Sequence, residues 1–165
     1  MSAGRTTLAA GALAAGVVAL DQLTKALVRD DLVLGERRDL VLGFDLVHVR
    51  NSGVAFGFLS DGGAILVVGV VLALVALVAF FVTHTSRRLV WLPTGLLLGG
   101  AIGNLIDRAA KGSVTDFIKF PHFPAFNVAD IAITFGVIAL ILVLEGPRRQ
   151  EEEQAPAAAP HPDGG

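Results

Sequence analysis

Four apolar stretches, each close to the length a lipid bilayer demands, constrain this chain more than any other feature. They run over about residues 7–28, 62–82, 89–106 and 128–144, against the roughly 17 to 25 residues that a helix needs to cross a hydrocarbon core. Backbone in lipid must satisfy its own hydrogen bonds, so stretches of this length predict helices. Composition agrees: 53% of the 165 residues are apolar and 17% charged, and the mean hydropathy is +0.68, well outside the range of an ordinary soluble domain. The expected fold class is an all-α membrane protein, a bundle of four transmembrane helices forming one domain over residues 1–149. The first stretch follows Arg5 and continues into Asp21, Gln22, Thr24 and Lys25 with no small-residue cleavage site. It therefore reads as a retained helix rather than a leader.

Arg5, the pair Arg87 and Arg88 in the second connection, and the pair Arg148 and Arg149 after the last stretch fall on one side of such a bundle. The positive-inside rule makes that side, and with it both termini, cytoplasmic. The first connection, Arg29 to Asp61, mixes Arg37, Arg38 and Arg50 with Asp31, Glu36, Asp39 and Asp45. Its segment FDLVHVRN alternates apolar and polar positions, which predicts short antiparallel strands and a small extracytoplasmic β-sheet in this connection. DLVLG occurs twice there, but five commonplace residues recur easily and carry no functional weight. The tail at 150–165, QEEEQAPAAAPHPDGG, has nothing to bury and reads as disordered and cytoplasmic.

With this topology the intramembrane polar residues converge at one depth. Asp21 and Lys25 lie near the outer end of the first helix, Asn104, Asp107 and Arg108 at the outer end of the third, and Asn127 and Asp130 at the start of the fourth, while Asn51 and Asp116 lie in the outer connections. Ionisable groups at membrane depth are costly and mark sites that face the bundle interior. Each also has a structural reading. Asp21 and Lys25 stand at i, i+4 in the acid-first order of a helix-end ion pair. Asn127 with Asp130 three residues on has the form of a capping box. Asp107 opposes its helix dipole and needs a partner, which Arg108 or Lys111 can supply. Gly95, Gly99 and Gly103 form a small-residue ridge suited to close helix contact. The absence of cysteine excludes disulfides, thiolate metal sites and a cysteine nucleophile. His48, His84, His122 and His161 have no metal-ligand spacing, so no metal or cofactor is expected. A net charge of −2 without a basic patch gives no reason to expect nucleic acid. Intramembrane acids also serve ion paths, but the second helix carries no acid to extend one through the cytoplasmic half.

As an ordered set, DQLTK (Asp21–Lys25), NSGVAFGF (Asn51–Phe58), GGAIGNLIDR (Gly99–Arg108), VTDF (Val114–Phe117) and FNVAD (Phe126–Asp130) closely resemble the signature blocks of the bacterial lipoprotein signal peptidases, or signal peptidase II. The resemblance covers Thr7 to about Leu144; HFPA before the last block and the tail match less well. It implies an intramembrane aspartyl endopeptidase of the bacterial cytoplasmic (inner) membrane that removes signal peptides from prolipoproteins just before a diacylglyceryl-modified cysteine. It further implies a catalytic dyad at Asp116 and Asp130. Asp21, Lys25, Asn51, Asn104, Asp107, Arg108 and Asn127 then hold the dyad or the substrate. The implied partners are prolipoproteins and membrane lipid, with the enzyme a monomer. Glycines in GVAFGF (Gly53–Phe58) and SDGG (Ser60–Gly63) would let the first connection act as a lid or cradle, with Phe56 and Phe58 gripping apolar surface.

Overall fold

The computed structural model describes residues 2–41, 43–52, 62–85, 87 and 89–154, with side chains undescribed at 62–66 and 146–154. Four helices follow in order: α1 (Ala3–Asp31), α2 (Gly62–Thr83), α3 (Trp91–Lys111) and α4 (Val128–Gln154). Among the described residues, two are long and apolar enough to cross a membrane by length and composition, α1 and the Val128–Glu145 part of α4; the described apolar part of α2, Val67–Thr83, is shorter. α4 stays helical to Gln154, past the Gln150 start of the expected tail, and 155–165 lie outside the described residues. So do 53–61, which hold most of the expected lid.

α3 is the central helix, and missing side chains make it so. A Cβ on Gly95 would lie 2.8 Å from the Leu13 Cβ, and one on Gly99 would lie 2.6 Å from the Val17 Cβ. These two glycines let α1 approach within backbone distance. Gly100 faces the other neighbour: a Cβ there would lie 2.5 Å from the Ala129 carbonyl oxygen of α4. Without a solvent-driven hydrophobic force, helices in lipid gain most from such close packing. α1 answers with a stripe of buried residues, Thr6, Ala10, Ala14, Asp21, Lys25 and Val28, small where the glycines sit and charged toward the C-terminal end. Its outward side, including Leu20, Leu23 and Leu27, is exposed, as a lipid-facing surface requires.

The sheet differs from expectation. The first connection supplies two strands, β1 (Arg37–Asp39) and β2 (Asp45–Asn51), while β3 (Val114–Lys119) comes from the connection between α3 and α4. All pairings are antiparallel in the order β1-β2-β3, with Val49 opposite Asp116 and Asn51 opposite Val114. Gly112, at φ +70°, ends α3 in the left-handed conformation that glycine adopts without steric cost. The chain then turns back along the free edge of β2. Val114, Thr115, Asp116 and Phe117 are all buried, so β3 lacks the alternation by which a half-exposed strand shows itself in sequence.

Candidate active site

The helix ends and the sheet place eight polar residues around one point at one end of the bundle. Asn127 stands at the centre of it. As the residue preceding α4, its Oδ1 accepts from the Asp130 backbone N–H at 3.0 Å, and the Asp130 Oδ2 accepts from the Asn127 backbone N–H at 3.1 Å. This is the reciprocal capping box expected from the spacing, and it fixes the Asp130 carboxylate against the helix start. The same residue's Nδ2 is left to donate outward, to the Asp116 Oδ1 at 2.7 Å and the Asn104 Oδ1 at 3.1 Å. Asn104 in turn donates from Nδ2 to the Asp130 Oδ1 at 2.9 Å. Two asparagines thus bridge the two carboxylates, and Asn51 donates to the remaining Asp116 oxygen at 2.9 Å.

Behind the asparagines lies a buried ionic layer. Lys25 and Asp21 have no exposed side-chain surface and pair at 2.8 Å; Lys25 also reaches the Asp107 Oδ2 at 3.2 Å and donates to the Asn104 Oδ1 at 2.9 Å. An Asn104 oxygen that accepts from both Lys25 and Asn127 leaves the Asn104 NH2 directed at Asp130, so the ammonium fixes which way that amide points. Asp21 spends its other oxygen on the Ala129 backbone N–H at 3.0 Å, stabilised by the positive end of the α4 dipole. Asp107 receives the Thr115 backbone N–H at 3.2 Å and pairs with Lys111 at 3.0 Å and Arg29 at 3.6 Å. It thereby ties β3, one residue from Asp116, to α1 and α3.

Asp116 itself is almost wholly buried. Burial is the largest influence on its carboxyl; the Asn51 hydrogen bond opposes it, the Asp130 charge adds to it, and Asn127 and Lys25 oppose it. The net effect lifts the group from the ordinary 3.8 to about 6.

Of the residues singled out in sequence, Asp21, Lys25, Asn51, Asn104, Asp107, Asp116, Asn127 and Asp130 all join this network. Arg108 does not reach the carboxylates: its guanidinium meets the Asn104 carbonyl oxygen at 3.5 Å, and Lys111, not Arg108, partners Asp107. The network adds Arg29, which donates to the Thr115 Oγ1 at 3.2 Å, and Gln22, which bridges the Asp21 Oδ2 and the Gly103 carbonyl oxygen at 3.1 and 3.0 Å. Arg29 was detectable in sequence, because Asp21, Lys25 and Arg29 recur every four residues and must share one helical face.

A family model described as signal peptidase (SPase) II matches residues 13–145. The chain belongs to the signal peptidase II family. It is 41% identical over 150 residues to a lipoprotein signal peptidase of Cupriavidus necator, covering 86% of this chain and 85% of that one. A lipoprotein signal peptidase of Brevibacillus brevis is 42% identical over 140 residues, with 79% and 90% covered. Two bacterial membrane enzymes solved by the in meso method superpose with a TM-score of 0.77, at 33% identity over 86% of this chain and 92% of that one, and at 30% identity over 94% of both. Membership in this family makes the polar cluster part of a membrane peptidase rather than of an ion path.

Proposed function

We propose that the chain is an intramembrane aspartyl endopeptidase that cleaves prolipoproteins on the N-terminal side of a diacylglyceryl-modified cysteine, with Asp116 and Asp130 as its catalytic pair. The observation that carries this reading is the shared set of donors: Asn127 and Asn104 link the two carboxylates through one chain of hydrogen bonds, and the Asp130 charge helps burial push the Asp116 carboxyl up to about 6. Two such groups ionise together only at a cost, so the pair passes through a state that carries a single shared proton. The ionised carboxylate takes a proton from water as the oxygen attacks the scissile carbonyl carbon, and the protonated partner donates to the carbonyl oxygen. The resulting tetrahedral diol collapses when the carboxylate takes back a hydroxyl proton and the other acid protonates the departing amide nitrogen. The C–N bond breaks and the single shared proton is restored. Since the proton is shared, acid and base belong to the pair rather than to one residue.

The four helices are read as four spans, with residues 1–149 as the peptidase unit and both termini in the cytoplasm. The site then lies at the extracytoplasmic boundary of the inner membrane. A substrate anchored by two acyl chains in the outer leaflet presents its cysteine at that depth, and its signal helix can enter sideways from lipid. The test is cleavage of two synthetic prolipopeptides by the purified protein in micelles, one with the diacylglyceryl group and one with a free cysteine. Only the lipidated peptide should be cut. Asp116→Asn and Asp130→Asn should each retain the fold and lose cleavage, because an amide keeps the volume but cannot cycle the proton; substantial turnover by either variant removes that residue from the chemistry.

A further inference from the structure

Beyond the dyad, the far end of the sheet carries an apolar tip that the peptidase reading does not use. The turn between β1 and β2 exposes Leu40, Val41 and Phe44, and the loop after β3 exposes Phe120 and Phe123, with Val41 the most exposed at 77%. These two segments form one surface. The Phe44 and Phe120 rings meet with centroids 4.8 Å apart, Gly43 lies against Pro121, and Phe123 stacks edge-on to Phe126 at 5.9 Å.

We infer that this tip inserts into the interfacial region of the bilayer, seating the sheet in the lipid beside the bundle. Three features select lipid over a protein partner. The tip is continuous with a membrane helix, since Phe126 lies next to Asn127 and α4 begins at Val128. Part of its polar backbone is already bonded within the tip: Leu40 N–H to the Phe44 carbonyl, Phe44 N–H to the Val41 carbonyl, and Phe123 N–H to the Phe120 carbonyl, while the Lys119 ammonium caps the Phe123 carbonyl. Those groups are not stranded when water is withdrawn, and at interfacial depth the remaining backbone stays within reach of headgroups and water. Finally, the charged residues Arg37, Arg38, Asp39 and Lys119 lie on the strands behind the tip, at the level of headgroups if the apolar residues reach the acyl boundary. β3 joins this tip to Asp116 with only Phe117, Ile118 and Lys119 between Asp116 and Phe120, so seating the tip sets the height of the carboxylate against the membrane.

The test rests on the membrane character of the chain and needs no activity, so its failure and that of the dyad reading are distinguishable. The single tryptophan is removed by Trp91→Phe, and Phe123→Trp or Val41→Trp is introduced in the full chain in phosphatidylcholine–phosphatidylglycerol vesicles. The emission should shift to the blue, be quenched more by bromines near the carboxyl end of the acyl chains than by bromines near the methyl end, and resist aqueous iodide. Two reporters keep the test decisive if one substitution disturbs the fold. Quenching by iodide without quenching by brominated lipid overturns the inference. Protection from both quenchers also overturns it, because a second copy or another protein surface then covers the tip. As a functional arm, Val41→Asp should raise KM for lipidated peptide in vesicles severalfold while leaving cleavage in micelles unchanged; equal loss in both settings overturns the seating role.

Discussion

Replacing Lys25 with methionine isolates what the buried ionic layer contributes. The substitution keeps the length and most of the volume of the side chain but deletes an ammonium that has no exposed surface and three oxygen partners. The partners are affected unequally. Asp107 retains Lys111 at 3.0 Å and Arg29 at 3.6 Å, whereas Asp21 is left with two neutral donors, the Gln22 amide and the Ala129 backbone N–H. Asp21 is therefore the stranded charge. Breaking a buried pair from one side costs about 3–5 kcal/mol, which for a chain of this length lowers the unfolding midpoint by roughly 6–20 °C. Thermal unfolding in micelles, followed by circular dichroism, measures it. Adding Asp21→Asn to Lys25→Met removes the stranded charge while leaving an oxygen for Ala129, so the double variant should recover at least about 1 kcal/mol over Lys25→Met alone. A midpoint within a degree or two of the parent for Lys25→Met, or a further loss in the double variant, refutes the assignment of Asp21 as the stranded partner.

A methyl group on Gly103 would lie 2.6 Å from the Asp21 Oδ2, which Lys25 and Gln22 hold in place, so Gly103→Ala should destabilise by about 1–3 kcal/mol and lower peptidase rate, read by the same melts and by peptide cleavage. Because the Asn51 hydrogen bond pulls the Asp116 carboxyl down, Asn51→Ala should raise it further and move the alkaline limb of the kcat/KM profile to higher pH; an unmoved or lowered limb contradicts that role. With its folded value raised from 3.8 to about 6, Asp116 binds its proton more tightly in the folded state, so stability should fall as pH climbs through that window, and Asp116→Asn should flatten the dependence in pH-dependent melts. In a chain without native cysteine, Ser113→Cys should react with an impermeant thiol reagent on intact cells and Ser86→Cys only after lysis; the reverse pattern would invert the proposed orientation.

The amino-acid sequence alone determined the helices and the identity of most of the cluster. Apolar length specifies a helix in lipid because no other open conformation satisfies its own backbone there, and charged residues interrupting such stretches are too costly to be incidental. The Asn127–Asp130 capping box and the Asp21–Lys25 pair are local, with partners three and four residues apart, and so were legible as spacing. The glycine ridge on α3 announced a close contact, though not that one end of it would be filled by a carboxylate from α1.

Tertiary structure decided everything that joins distant segments. β3 was hidden because its buried residues do not alternate, and only the turn at Gly112 brings it to the edge of β2 and carries Asp116 to the start of α4. Arg29 finds Asp107 and Thr115 across 78 and 86 positions of sequence, while Arg108, next to Asp107 in the chain, projects from a different angle of the same helix and leaves that carboxylate to others. Neighbours in sequence point about 100° apart around a helix, so adjacency could not identify the partner. The direction of the Asn104 amide depends on where Lys25 of α1 and Asn127, just before α4, meet it. Spacing records which residues one element presents together; only packing the elements against one another fixes which of them share a proton or a charge.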